Sequence, residues 1–327
     1  MISGLYRTYC EQMWEIIENI SSEEKSRGVL QGLLSGSLSQ LRGVEPDRIT
    51  RLTKNIFDRI KEGPGAKQVQ EFSVGILTDL YVSGNNTFSK DVVLGIAKTS
   101  STNPDQAGQV LAQLRGPLKN PANDDIWQRA LGILTDILRS AITGWRQIEG
   151  IQEPLFSNCP QEDQERLKAL IGLIDFVGRE IYFSSGAYDD SRSRNQAEAT
   201  RPSFPIRSKQ LYKDMRPLLD ELADVGIPSI VHNLLQTLEF FIPLDPQGVF
   251  LRFERIIKSG QKGGYQYESM AADLIVRLVE RYLAQYRTLF LESQECRMAL
   301  ISILDVFVQV GWSSARNLTY RLEEVFR

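Results

Sequence analysis

The 327 residues are 42% hydrophobic, 24% charged and 9% aromatic, proportions that exclude wholesale disorder, a collagen-like chain and a disulfide scaffold. Lys and Arg number 38 against 41 Asp and Glu, so the formal net charge is −3 and no global basic field marks the chain for nucleic acid. At roughly 150 residues per domain the length suggests about two domains, unless repeats extend a single architecture.

From the N-terminus onward, helical patterns alternate with short punctuation. Helices are predicted over 2–20, 22–42, 46–62, 66–83, 89–99, 104–115, 123–148, 160–185, 208–225, 227–241, 245–259, 266–291, 294–310 and 313–326. Start signals are Ser21 with Glu24 as a capping box, Pro46 with Asp47, Asn103 before Pro104, and Asn123 before two aspartates. Stops are GPG at 63–65, SGNN at 83–86, SGQKGG at 259–264 and Gly311. LKALIGLIDFVGREIYF (167–183) and MALISILDVFVQV (298–310) are apolar around most of their circumference and are expected at the centre of the packed layers.

The clearest helix is ESMAADLIVRLVERYLAQYRTLF. Its apolar stripe comprises Met270, Leu274, Ile275, Leu278, Val279, Tyr282, Leu283, Tyr286 and Phe290, and Asp273 and Arg277 form an i,i+4 pair away from it. The last segment repeats the logic with Ala315, Leu318, Leu322, Val325 and Phe326. No alternating, β-branched stretch bounded by hairpin turns competes, so the fold class is all-α. Short linkers favour antiparallel neighbours. Without a strict period of the TPR or ankyrin kind, an irregular HEAT-like α-solenoid of antiparallel helix pairs, ~40 residues per pair, is the expected architecture. The polar text GAYDDSRSRNQAEATRPSF is read as a loop (186–206). It separates a helical array over 1–185 from one over 207–327, the two forming one continuous superhelix.

Chemistry-bearing constellations are sparse. Hydrolase-type triads normally use a histidine base, and the sole histidine, His232, sits among apolar neighbours in IPSIVHNLLQTLEFF as a structural residue. Neither CxxC nor HxxxH occurs, so no metal site is expected. SGQKGGYQYES lacks the strand and lysine–hydroxyl pair of a P-loop and reads as a helix-connecting turn, so no cofactor is expected. Paired carboxylates (Asp124–Asp125, Asp189–Asp190, Glu323–Glu324) are ordinary on helix surfaces; an enzyme built on carboxylates inside a helical cavity is the third-ranked reading. Trp127, Trp145, Trp312, Tyr265 and Tyr267 are read as core in preference to a partner surface.

The basic candidate site is Arg192, Arg194, Arg201, Arg207, Lys209, Lys213 and Arg216, with Phe204 and Tyr212 as stacking faces for bases. Asp189, Asp190, Glu198 and Asp214 dilute it, so a solvated loop and helix face is the competing reading. Three scattered cysteines, Cys10, Cys159 and Cys296, fit a reducing compartment. The N-terminus lacks the basic region of a signal peptide, and Asp305 interrupts the longest apolar run. A cytoplasmic protein without a membrane span is therefore expected.

GGYQYESMAADLIVRLVERYLAQYRTLF, with TLEFFIPLDPQGVF before it and ILDVFVQVGWSSARNLTYRLEEVFR after it, resembles the C-terminal helical regions of long bacterial proteins. Those proteins carry a P-loop NTPase or another effector module upstream, some of them similar to STAND-type NTPases of antiphage defence. The resemblance covers mainly 237–327, with an echo in LIDFVGREIYFSSGAYDD, and no functional residue carries over. It implies a non-catalytic helical module that binds a protein partner, the sensor or scaffold part of a larger bacterial defence-like polypeptide. Nucleic-acid binding through residues 192–216 is the alternative.

Overall fold

The computed structural model describes residues 2–23, 26–41, 43–84, 86–119, 123–149, 161–194, 206–262 and 269–310. Among them every regular element is a helix, with no strand. No helix among them is long and apolar enough to cross a membrane. The chain divides into two compact units, Met1–Leu173 and Ile174–Arg327.

The first unit contains α1 (Ile2–Glu23), α2 (Arg27–Gly32), a π-helical segment (Leu33–Leu38) running into α3 (Ser39–Leu41), α4 (Pro46–Arg59), α5 (Ala66–Gly84), α6 (Thr87–Lys98), α7 (Pro104–Lys119) and α8 (Asp124–Glu149). α9 (Gln161–Ser185) spans the division. Within this unit α4 packs on α5, α5 on α6 and α7 on α8, and packing also skips neighbours: α1 lies on α4, α2 and the π segment on α5, α5 on α7, and α6 on α8. The core gathers Trp14, Leu30, Leu34, Leu38, Ile49, Ile56 and Val69, and the Arg48 guanidinium lies over the Trp14 ring at 4.5 Å.

The second unit contains α10 (Ala187–Arg194), α11 (Ile206–Ala223), α12 (Pro228–Phe241), α13 (Pro246–Lys262), α14 (Ser269–Gln285), α15 (Arg287–Glu292) and α16 (Gln294–Val310). Here too packing skips a helix, α10 lying on α12, α12 on α14 and α11 on α13, while α13 also packs on α16. Gly178 of α9 lets α12 approach closely, since a Cβ there would stand 2.5 Å from Ile230 Cγ2. Phe250, Tyr282 and Phe290 stack edge-to-face at the centre, with centroids 4.7 and 5.0 Å from that of Phe250.

Several sequence expectations are corrected. Ser21 caps nothing: it lies inside α1, where its hydroxyl donates to the Glu18 carbonyl, and the following helix begins at Arg27. The segment expected to be one helix over 22–42 contains a π-helical stretch. The run over 266–291 is two helices broken at Tyr286 (φ −128°, ψ 31°), and the break turns Phe290 onto Phe250. Arg277 reaches Glu239 of α12 at 3.6 Å instead of pairing with Asp273. α13 continues through 259–262, placed as a stop in the sequence reading.

Residues 187–194, expected as loop, form α10. Gly186 turns the chain at φ +92°, the Ala187 amide donates to Ser185 Oγ, and Tyr188 packs its ring on Tyr182 and Phe183. α16, expected at the centre, is buried on one side only, because Met298, Ile301 and Val308 are exposed. Asn123 does cap α8, accepting from the Ile126 amide at 2.9 Å, and Trp127 and Trp145 are core. The remaining expectations at 195–205, 263–268 and 311–327, including Trp312, Tyr265, Tyr267 and the helix over 313–326, lie outside the described residues.

Candidate functional site

α11 carries the sequence-predicted basic cluster, and its amphipathic pattern decides which members come together. Leu211, Tyr212, Met215, Leu218, Leu219 and Leu222 are buried, which turns Lys209, Lys213 and Arg216, spaced i, i+4, i+7, onto one exposed face. Gln210 donates to Asp214 beside this stripe at 2.7 Å. Arg192 and Arg194 fall in the last turns of α10 and Arg207 in the first turn of α11, with side chains outside the described residues; Arg201 and Phe204 lie outside them altogether. Three of the seven predicted residues therefore share a described surface.

Tyr212 is not a stacking platform for a base. Its ring is buried against Phe241, with centroids 4.9 Å apart, and its hydroxyl donates to Asp245 Oδ2 at 2.6 Å. Burial, followed by that hydrogen bond, holds the phenol well above its ordinary range.

The same α11 line continues into Asp220 and Asp224, where its sign reverses. Arg252 of α13 is buried. Its Nη1 donates to the Tyr212 hydroxyl at 2.9 Å and its Nη2 to Asp220 Oδ2 at 3.2 Å, while Nε makes an ion pair with Asp220 Oδ1 at 2.8 Å without hydrogen-bond alignment. One turn on, Arg255 donates to Asp220 Oδ1 at 3.0 Å and to Asp224 Oδ1 at 2.9 Å, and its Nη2 also meets Asp224 Oδ2. Hydrogen bonding to Asp224 raises the Arg255 guanidinium above its ordinary value. Two arginines, three aspartates and one tyrosine thus form a continuous clamp between α11 and α13. The partners on α11 lie 31 to 40 positions from those they meet at and before α13, beyond any local pattern.

The other reactive candidates are placed differently. Cys296 is buried in α16, and burial pushes its thiol up, away from nucleophilic thiolate. His232 is a half-buried residue of α12. Glu239, nearly buried on α12, accepts from Arg281 of α14 at 3.3 Å. Charged groups that converge here do so as ties between helices.

A second concave surface, without any signal in the linear text, lies in the first unit. The π-helical segment, α5 and α7 enclose a groove of about 240 Å³ lined by Leu34, Ser35, Ser39, Glu71, Phe72, Gly75, Ile76, Gln109 and Gln113. Neither a comparison with protein-family models nor a search of curated proteins finds a match to this chain.

Proposed function

We propose that the chain is a non-catalytic α-helical repeat module for protein–protein interaction, an irregular HEAT-like α-solenoid of antiparallel helix pairs. It serves as the sensor or scaffold part of a larger bacterial defence-like polypeptide, the role its resemblance to STAND-type C-terminal regions implies. The observation that carries this is the packing order in both units, where a helix meets the next but one: α5 with α7 and α6 with α8, then α11 with α13 and α12 with α14. Such skipping is how stacked helix pairs bury a continuous core and leave long surfaces for partners. The converging ions act as inter-helix ties, which supports a scaffold over a reaction centre.

The exposed stripe of Lys209, Lys213 and Arg216 supports nucleic-acid binding as the second reading. Two measurements separate the readings. In a mobility-shift assay with labelled single-stranded DNA and RNA pools, a scaffold shifts neither pool at moderate salt, and in-cell photocrosslinking of the full chain gives discrete protein adducts. The second reading replaces the first if a shift weakens with salt, with a log–log slope of about −2 for three phosphate contacts, and is lost when Lys209, Lys213 and Arg216 are all changed to Ala.

A further inference from the structure

Resting on the scaffold reading, we propose that the groove formed by the π-helical segment, α5 and α7 binds an extended polypeptide strand. That strand places a Lys or Arg side chain on Glu71 and an apolar side chain on Phe72.

The groove lies where α5 packs on α2 and the π-helical segment and also on α7. Its floor is apolar, with Leu34 and Ile76 buried, while Phe72 leaves 43% of its surface open to the groove and solvent. A volume of about 240 Å³ falls below the roughly 300–1,000 Å³ of small-molecule pockets, which favours a strand laid across the surface over an enclosed ligand.

The polar lining suits a peptide backbone. Gln109 and Gln113 stand one turn apart on α7, and their amides make no hydrogen bond among the described residues, so each offers donors and an acceptor. Four residues of helix rise about 6 Å, close to the roughly 6.6 Å after which an extended chain repeats its backbone groups on one side. Gly75 keeps the floor low beneath them: a Cβ there would stand 3.4 Å from Gln113 Nε2. Ser35 donates to the Gln31 carbonyl at 2.8 Å, which leaves its oxygen facing the groove as an acceptor.

Charge selects the side chain. Lys67 of α5 is held by Asp105 of α7 at 2.8 Å and also lies in the field of Glu71. One turn further along α5, Glu71 lines the groove and makes no ion pair among the described residues. With Lys67 paired to Asp105, the Glu71 carboxylate beside an open aromatic ring is complementary to a cation followed by an apolar group.

The test is a phage-displayed random dodecapeptide library panned on the full chain, with synthetic versions of the enriched peptides titrated by fluorescence anisotropy. Enriched peptides are expected to carry a Lys or Arg near an apolar residue. Glu71→Gln is expected to weaken them about tenfold or more, Gln113→Ala about threefold to tenfold, and Glu71→Lys to shift the selection toward acidic peptides. Thermal melts should be unchanged, since these side chains are not part of the buried core. Peptides without a basic residue, or affinities indifferent to Glu71→Gln and Gln113→Ala, overturn the groove assignment while leaving the scaffold reading standing. A library that yields no binder also overturns the groove assignment, and the scaffold reading then rests on the crosslinking experiment alone.

Discussion

In the N-terminal unit α6 and α8 are joined through hydroxyls and a glycine; in the C-terminal unit α11 and α13 are joined through ions. At the first seam Ser140 Oγ donates to the Lys98 carbonyl at 2.9 Å and accepts from the Ser101 amide at 3.2 Å, Ser100 Oγ donates to the Ile137 carbonyl at 3.2 Å, and Gly144 admits Ser101. At the second, Arg252 and Arg255 bind Asp220, Asp224, Asp245 and Tyr212. Both seams join helices that are not consecutive in sequence. Neutral seams fit by shape and fail when a side chain is too large; ionic seams fit by charge and fail when one partner is missing. The same packing order is therefore held by interactions that respond to different perturbations.

The largest expected effect is at Arg252. Removing one member of a buried ion network strands the others, typically at a cost of 3–5 kcal/mol. Asp220 and Asp245 retain about a third of their side-chain exposure and regain some hydration, so Arg252→Ala is expected to destabilise the second unit by about 3 kcal/mol, the lower end of that range. Hydrogen exchange read segment by segment should show the loss in α11 and α13 and leave α5 to α8 protected. An equal loss in both units would mean that they unfold as one, and the comparison would fail.

At the neutral seam the corresponding break is Gly144→Val. A Cβ at this position would stand 2.6 Å from Ser101 Cβ and 3.4 Å from Leu170 Cδ1, so the turn that follows α6 must move away from α8, with an expected cost of about 1–3 kcal/mol. Gly132, on the same helix with open space around it, is the control: Gly132→Ala should stabilise by up to about 1 kcal/mol through helix propensity alone. Urea denaturation of the two variants measures both, and an unperturbed Gly144→Val would show that the seam is loosely packed.

The helices and much of the core were legible because 3.6-residue periodicity is a local property. Leu274, Ile275, Leu278, Val279 and Tyr282 are buried as their spacing predicts, and Asn123 caps α8 as its position predicts. What was hidden depends on distant partners. The break at Tyr286 lies on the apolar stripe and is set by where Phe290 finds Phe250. α10 is a polar octapeptide anchored by Tyr188 on Tyr182 and Phe183. The basic candidates were grouped by proximity in sequence, whereas the helix selects Lys209, Lys213 and Arg216 by face and buries Tyr212 beneath them. The groove on α5 had no linear signature, because Ser35, Glu71 and Gln113 come from three separate helices.

Alkali sharpens the contrast between the units by acting on the aromatic groups of the ionic half. Tyr212 is raised by burial and by its bond to Asp245. Tyr282, whose hydroxyl donates to the Pro246 carbonyl, is raised chiefly by burial. In the first unit Tyr81 is raised by burial as well, opposed by Arg129. A phenol whose folded pKa exceeds its unfolded value contributes stability that is complete below about pH 10 and is lost as the pH climbs toward the folded value. One unit above the free phenol value, each such tyrosine is expected to cost up to about 1.4 kcal/mol. With two strongly raised phenols against one, the second unit should open first. Phenolate absorbance followed alongside hydrogen exchange checks the order, and Tyr212→Phe should shift opening of the second unit to higher pH. If α5 and α8 opened before α11 and α13, the phenols would not be what makes the ionic half sensitive to alkali.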